Sequence, residues 1–353
     1  MALPWGAIQV TIISFVIMPL AIATTFLRLW SRRLKNQSLG FPDYMALVAL
    51  LLAAATVSVF LAAGFAAGLG LHLVDIMATD PSKFVLHMKL FVPAQLLWAA
   101  ANSCVKFSIL SLYTALFPGK RFCRICQCTM VVTIAYFIMV FLETFLLCKP
   151  VQYNWDKSIQ GICQGENTAY LVAGITNLVI DTFIVVLPMP RVFKLQMSLP
   201  RRISVAAMFS LGVLICVLSL LRVHWLATWD LTDLTYTETP GATYSVLEPT
   251  LGVVNACLPT IRPAVIQIMG PNVLNWTKRE PESNGSAEKL NNRGRKHGGS
   301  VKGNLTREFE RLEDEFPLND VVIQGDQGTR HPNGNSITVN REFRLNCSTH
   351  TRV

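Results

Sequence analysis

Seven apolar runs, each about 20 residues or longer and separated by short polar loops, dominate this sequence. About 20 mostly apolar residues make a helix long enough to cross the hydrocarbon core of a bilayer. The runs predict spans at 7–29, 43–68, 88–117, 127–147, 168–190, 203–229 and 243–268. The expected fold class is therefore an all-α membrane protein, a seven-transmembrane helix bundle over residues 1–271. Charge content agrees: 15% of the residues are charged, against about 25% in a soluble domain whose surface faces water. Residues 1–6 carry no Lys or Arg, and the first apolar run continues to about Leu29. A secretory signal has a basic start and an apolar core of roughly 7–15 residues, so this run reads as a retained helix.

Orientation follows from where the basic residues fall, because cytoplasmic loops are enriched in Lys and Arg. The odd loops hold Arg32, Arg33 and Lys35, then Lys120, Arg121 and Arg124, then Arg191, Lys194, Arg201 and Arg202. The even loops hold only Lys83, Lys149 and Lys157. Ten against three, in unbroken alternation, predicts an N-terminus outside and a C-terminal tail in the cytoplasm. Residues 272–353 are polar and poor in aromatics, the composition of a largely disordered tail. Within it Leu305, Phe309, Leu312 and Phe316 share one helical face, so 305–316 is either a transient helix or a docking helix for a cytoplasmic partner. The net charge of +9 forms no basic stripe interleaved with aromatics, which argues against nucleic acid.

An ionisable side chain inside a membrane helix is costly and by default a functional hypothesis. Depth counted along the spans puts Lys106 level with Asp181, with Asn102 and Asn177 about one turn away. A second group, nearer the outside, comprises Glu143, Arg222 and Glu248, with His224 nearby. Arg262 falls near the cytoplasmic end of the last run. Two readings stay open: Lys106–Asp181 and Arg222–Glu248 are ion pairs that lock helix register, or these groups line a polar cavity for a small-molecule ligand. Cys148 and Cys163 flank a loop predicted to face the oxidising side, so a disulfide is expected there. Cys123, Cys126 and Cys128 lack a fourth ligand for a metal and read as juxtamembrane thiols. No catalytic motif emerges. The seventh run contains no lysine for a retinal Schiff base, so neither retinal nor any other cofactor is expected.

Several stretches resemble a large family of fungal rhodopsin-like seven-helix integral membrane proteins. They are GFPDYMALVAL, VKFSILSLYTALFP, CKPVQYNW with its following cysteine, NLVIDTFIVVLPMPRVFKLQ and LEPTLGVVNACLPTIRP, in order from about residue 20 to 268. The resemblance is to the satratoxin-cluster type, related to Pth-type receptors. Lys106, Asp181, Arg222, Glu248 and Arg262 fall at recognisable family positions. Pro42 stands where the family more often has Asp, and Tyr244 where it often has Trp. Some Pth-type members carry a cysteine-rich domain before the first helix, whereas about six residues precede it here. The resemblance implies a non-enzymatic role, receptor-like or accessory to a secondary-metabolite pathway, in the plasma membrane or an internal membrane. A metabolite transporter or exporter is the alternative, and an intramembrane enzyme the third. The implied partners are the lipid bilayer, a small-molecule ligand and a cytoplasmic protein contacting the loops or tail.

The sequons at Asn36, Asn275, Asn284, Asn304 and Asn346 all fall on segments predicted to be cytoplasmic. Wild-type protein should therefore show no glycosidase-sensitive mobility shift, whereas a variant with a sequon added near Asp233 should show one. A shift in the wild type would contradict the orientation.

Overall fold

The computed structural model describes residues 4–117, 119–155, 159–163, 165–194, 199–228 and 234–269. The tail beginning at residue 272, with its 305–316 segment, lies outside the described residues. The chain runs α1 (Trp5–Leu34), α2 (Phe41–Ala66), α3 (Leu73–Thr79), α4 (Pro81–Leu116) and α5 (Lys120–Leu146). A two-stranded antiparallel pair follows, β1 (Cys148–Lys149) with β2 (Ile162–Cys163), enclosing a 3-10 turn at Val151–Asn154. The chain then forms α6 (Glu166–Val186), α7 (Met189–Lys194), α8 (Leu199–Ala227) and α9 (Leu234–Met269). Among the described residues six stretches are long and apolar enough to cross a membrane: α1, α2, α4, α5, Asn167–Arg191 and Val205–Ala227.

Helices dominate because a chain in hydrocarbon must satisfy its backbone amides internally. Their starts follow local chemistry. The Asp43 carboxylate accepts from the Gly40 N–H at 3.0 Å and closes the first turn of α2. Asp80 caps α4, accepting from Ser82 Oγ at 2.6 Å and Ser82 N at 3.3 Å, with Pro81 as the first helical residue. The Ser82 hydroxyl holds the Asp80 carboxyl below its usual range. The helices run beyond their apolar runs: α4, capped by Asp80, begins at Pro81 rather than 88, and α9 begins at Leu234 rather than 243.

Helix α9 is the centre of the bundle, packing on α1, α8, α4 and α2, while α4 also packs on α2 and α5. The seams are built from small residues: Ala21, Ala49, Ala99, Ala101 and Ala256 are all essentially inaccessible. Without a hydrophobic driving force between helices in lipid, close backbone approach and dispersion carry the packing. Large apolar side chains point outward instead, among them Phe15, Leu51, Val131 and Leu220, as a lipid-facing surface requires. The turn before α3 meets the start of α9: the Gly70 N–H donates to Thr235 O at 2.9 Å, and Thr235 Oγ1 donates to Leu71 O at 2.8 Å. Gly70 has a φ of 90°, and a Cβ there would stand 3.2 Å from Gly6 Cα, so glycine is required on both counts.

Cys148 and Cys163 form the expected disulfide across the strand pair. Asn154 Nδ2 donates to Thr144 O at 3.0 Å, tying the enclosed loop to the end of α5. The bridge closes a sequence separation of 15, for which restriction of the unfolded chain contributes about 3 kcal/mol. Replacing both cysteines by serine should lower unfolding stability by about 2–4 kcal/mol, read by thermal scanning in detergent. An unchanged transition would mean the bridge carries no fold stability.

Candidate functional site

Four charged side chains meet inside the bundle. On α9, Glu248 is about 1% exposed. Its Oε1 accepts from Asn177 Nδ2 at 2.6 Å and Ser219 Oγ at 2.9 Å. Its Oε2 accepts from Trp98 Nε1 at 3.3 Å and lies 3.7 Å from Arg222 Nη1. Asp181 pairs with Lys106 Nζ at 3.1 Å and accepts from Asn177 Nδ2 at 2.9 Å and Ser219 Oγ at 3.3 Å. Lys106 also donates to Asn177 Oδ1. Asn177 and Ser219 thus fuse two ion pairs into one cluster with formally balanced charge, spanning α4, α6, α8 and α9. Breaking a buried pair by removing one partner costs about 3–5 kcal/mol, because it leaves a charge uncompensated.

Arg222 is the member of this cluster with spare capacity. Its Nη2 donates to Gln95 Oε1 at 3.2 Å, and its guanidinium carbon lies 3.3 Å from the centre of the Trp98 ring. Stacking of this kind contributes about 2 kcal/mol when desolvated. Its Nε and Nη1 are buried and make no hydrogen bond. Beside it opens a narrow cavity of about 20 Å³, room for about one water molecule, at the end of the bundle that carries the disulfide hairpin. The aromatic wall is Phe60, Phe91, Trp98, Tyr170 and Trp225; the polar wall includes Gln95, Arg222, Glu238 and Ser245. Glu238 is buried and bonded to His87, which joins α9 to α4 beside the pocket. Trp225 Nε1 donates to Thr237 O at 2.6 Å, closing the α8–α9 side.

The other sequence-derived residues are dispersed. Glu143 sits half-buried on α5, and its Oε1 makes no hydrogen bond. Asn102 is buried with its Nδ2 unbonded and does not line the pocket. His224 is exposed. The Arg262 side chain lies outside the described residues. At the opposite end of the bundle is a clamp that sequence reasoning missed. Arg28 Nε donates to Asp43 Oδ1 at 2.8 Å, Arg32 Nε lies 3.2 Å from Oδ2, and Arg28 Nη1 donates to Ala256 O at 2.7 Å. Asp43 occurs in the GFPDY stretch quoted above, which was the available signal. His87 and Glu238 were missed because both fall just outside the apolar runs.

Among the described residues no group of His, Cys, Asp and Glu is arranged to hold a metal ion. What the arrangement offers is a buried guanidinium beside a small cavity walled by aromatic rings.

Comparison with known proteins places these helices in context. The chain is 24% identical over 267 residues to the polyenoic acids biosynthesis gene cluster protein Ba17b of Metarhizium anisopliae, covering 72% of this chain and 73% of that protein. It is 26% identical over 296 residues to the wortmanamides biosynthesis cluster protein C of Talaromyces wortmannii, covering 79% and 77%. A SAT4 family membrane protein of Emericella nidulans is 28% identical over 185 residues, 51% of this chain and 47% of that protein. No solved structure matches. The fungal rhodopsin domain matches residues 27–267, from within α1 almost to the end of α9, and so takes in the cluster, the pocket and the hairpin. A match of that extent, over a multi-pass helical membrane protein, shows that the chain belongs to the fungal rhodopsin domain family.

Proposed function

We propose that this protein is a receptor-like or accessory membrane component of a fungal secondary-metabolite pathway, binding a small molecule without retinal. The observation that carries this reading is the small aromatic-lined cavity beside Arg222, a buried cation whose Nη2 donates to Gln95 Oε1 and whose Nη1 faces Glu248. Pockets of this kind, mostly apolar with a few convergent polar groups, are the usual form of a small-molecule site. The pathway context is supported by relatives named for biosynthesis clusters of polyenoic acids, wortmanamides and fugralins. In this reading α9 is the seventh span, the N-terminus is outside, and the hairpin end with its pocket faces out. Lys106, on α4, is paired with Asp181, and α9 contains no lysine that could form a Schiff base.

Transport is the second reading, favoured by one feature. The ionisable cluster continues from the pocket floor through Glu248 and Asp181 to Lys106, and such chains serve proton relays in transporters.

Binding and transport separate in one preparation. Purified protein in nanodiscs should gain thermal stability with members of a fungal metabolite panel. Gly241→Ala should lose that gain, because its Cβ would stand 2.4–2.6 Å from the Trp225 ring and reshape the pocket. The same compounds should stay inside proteoliposomes bearing the protein. Proton-dependent release that disappears in Asp181→Asn would overturn the receptor-like reading in favour of transport.

A further inference from the structure

The end of the bundle opposite the disulfide hairpin concentrates positive charge on one face. Lys120, Arg121 and Arg124, at the start of α5, are all exposed. Arg191, from α7, joins them. Its Nη1 and Nη2 lie 2.8 and 3.0 Å from the position that a Cβ on Gly119 would take, directly against the turn that opens α5. Its guanidinium carbon lies 4.9 Å from the centre of the Phe122 ring, an attractive contact that holds the cation in place. Phe122 is itself buried and packs edge-on against Phe117 at 5.6 Å. The first turn of α5 holds no acidic residue. No Asp or Glu occurs in the sequence between Asp80 and Glu143, or between Asp181 and Asp230. Asp43, also at this end, is already paired with Arg28 and Arg32.

The basic face continues into apolar surface along the same helix. At 3.6 residues per turn, Lys120, Arg124, Cys128, Val131 and Ala135 form one stripe, flanked by Arg121 and Val132. Cys128, Val131, Val132 and Ala135 are exposed, as a lipid-facing surface requires. A rise of 1.5 Å per residue puts Val131 about 10 Å deeper in the membrane than Arg124. Cations thus stand at head-group depth, and small apolar side chains at acyl-chain depth. That is the profile of a phospholipid lying along α5, and a soluble anion would leave the apolar stripe unused.

We infer that this patch binds an anionic phospholipid whose head group carries more than one negative charge. The head group sits among Lys120, Arg121, Arg124 and Arg191, and the acyl chains run along Cys128, Val131 and Val132. Four cations drawn from two separate elements favour a multiply charged head group over a singly charged one. In the orientation proposed above this end meets the cytoplasmic leaflet, which carries the anionic lipids. The site is separate from the cavity beside Arg222, and it stands or falls without it.

The test incubates detergent-purified full-length protein with an equimolar mixture of three dioleoyl lipids: phosphatidylinositol monophosphate, phosphatidylserine and phosphatidylcholine. Bound lipid is counted by native mass spectrometry. The phosphoinositide should exceed phosphatidylserine in the bound fraction by about fivefold or more, the factor expected for one further charge contact. Replacing Lys120, Arg121 and Arg124 together by Gln should abolish that preference. Arg33→Gln with Lys35→Gln, which removes basic residues of α1 and its C-cap at the same end, should keep it. Because the three lipids are first compared on the wild type, the result does not depend on how a variant folds. Equal binding of the three lipids would overturn the inference and leave these residues as determinants of orientation alone. Loss of the preference in the Arg33, Lys35 variant to the same extent would overturn its assignment to α5. Soluble inositol bisphosphate displacing the lipid at equal concentration would overturn the lipid in favour of a free anion.

Discussion

Glu248 is a carboxylate about 1% exposed in the middle of a helix that packs on four other long helices or their neighbours. A charge at such a place needs compensation from several directions, and its partners come from α4, α6 and α8: Trp98, Asn177, Ser219 and Arg222. Each of those helices is thereby held at a fixed rotation and depth relative to α9. Leucine and alanine faces alone specify register weakly in lipid, since one apolar contact resembles another. The polar cluster supplies what they lack.

The pocket is a consequence of the same arrangement. Arg222 is drawn toward Glu248 through Nη1, donates to Gln95 through Nη2 and stacks on Trp98, so it forms one wall of the aromatic cavity near the hairpin. Farther from the hairpin, the Arg28–Asp43 pair, with Arg28 also bonded to Ala256 O, fastens α1, α2 and α9. Between these anchors α9 packs on α1, α2, α4 and α8. A ligand that stabilised one arrangement of α9 would alter both ends, which is the physical requirement for a receptor-like role.

The sequence made the apolar spans and the four central charges legible, because an Asp, Glu, Lys or Arg is rare inside such a run and stands out. It did not show that they form a single cluster. Depth counted along straight helices separated Lys106–Asp181 from Arg222–Glu248, whereas Asn177 and Ser219 join them in space. Glu143 was grouped by depth alone, and depth carries no information about which helices are neighbours. His87 and Glu238 escaped notice for a different reason: α4 and α9 extend past the apolar runs, so both residues are buried although hydropathy places them in loops. The disulfide was readable because its two cysteines flank one short loop on the side expected to be oxidising.

The central claim is that the four charges form one neutral cluster rather than two independent ion pairs. Unfolding stability of Lys106→Met, Glu248→Gln and the double variant, measured in bicelles, tests it directly, because Lys106 and Glu248 belong to different pairs. Each single change leaves an uncompensated charge and should cost about 3 kcal/mol or more. The double variant restores neutrality and should be more stable than the sum of the two by at least about 1 kcal/mol. Simple additivity would contradict the account and return the site to two separate pairs.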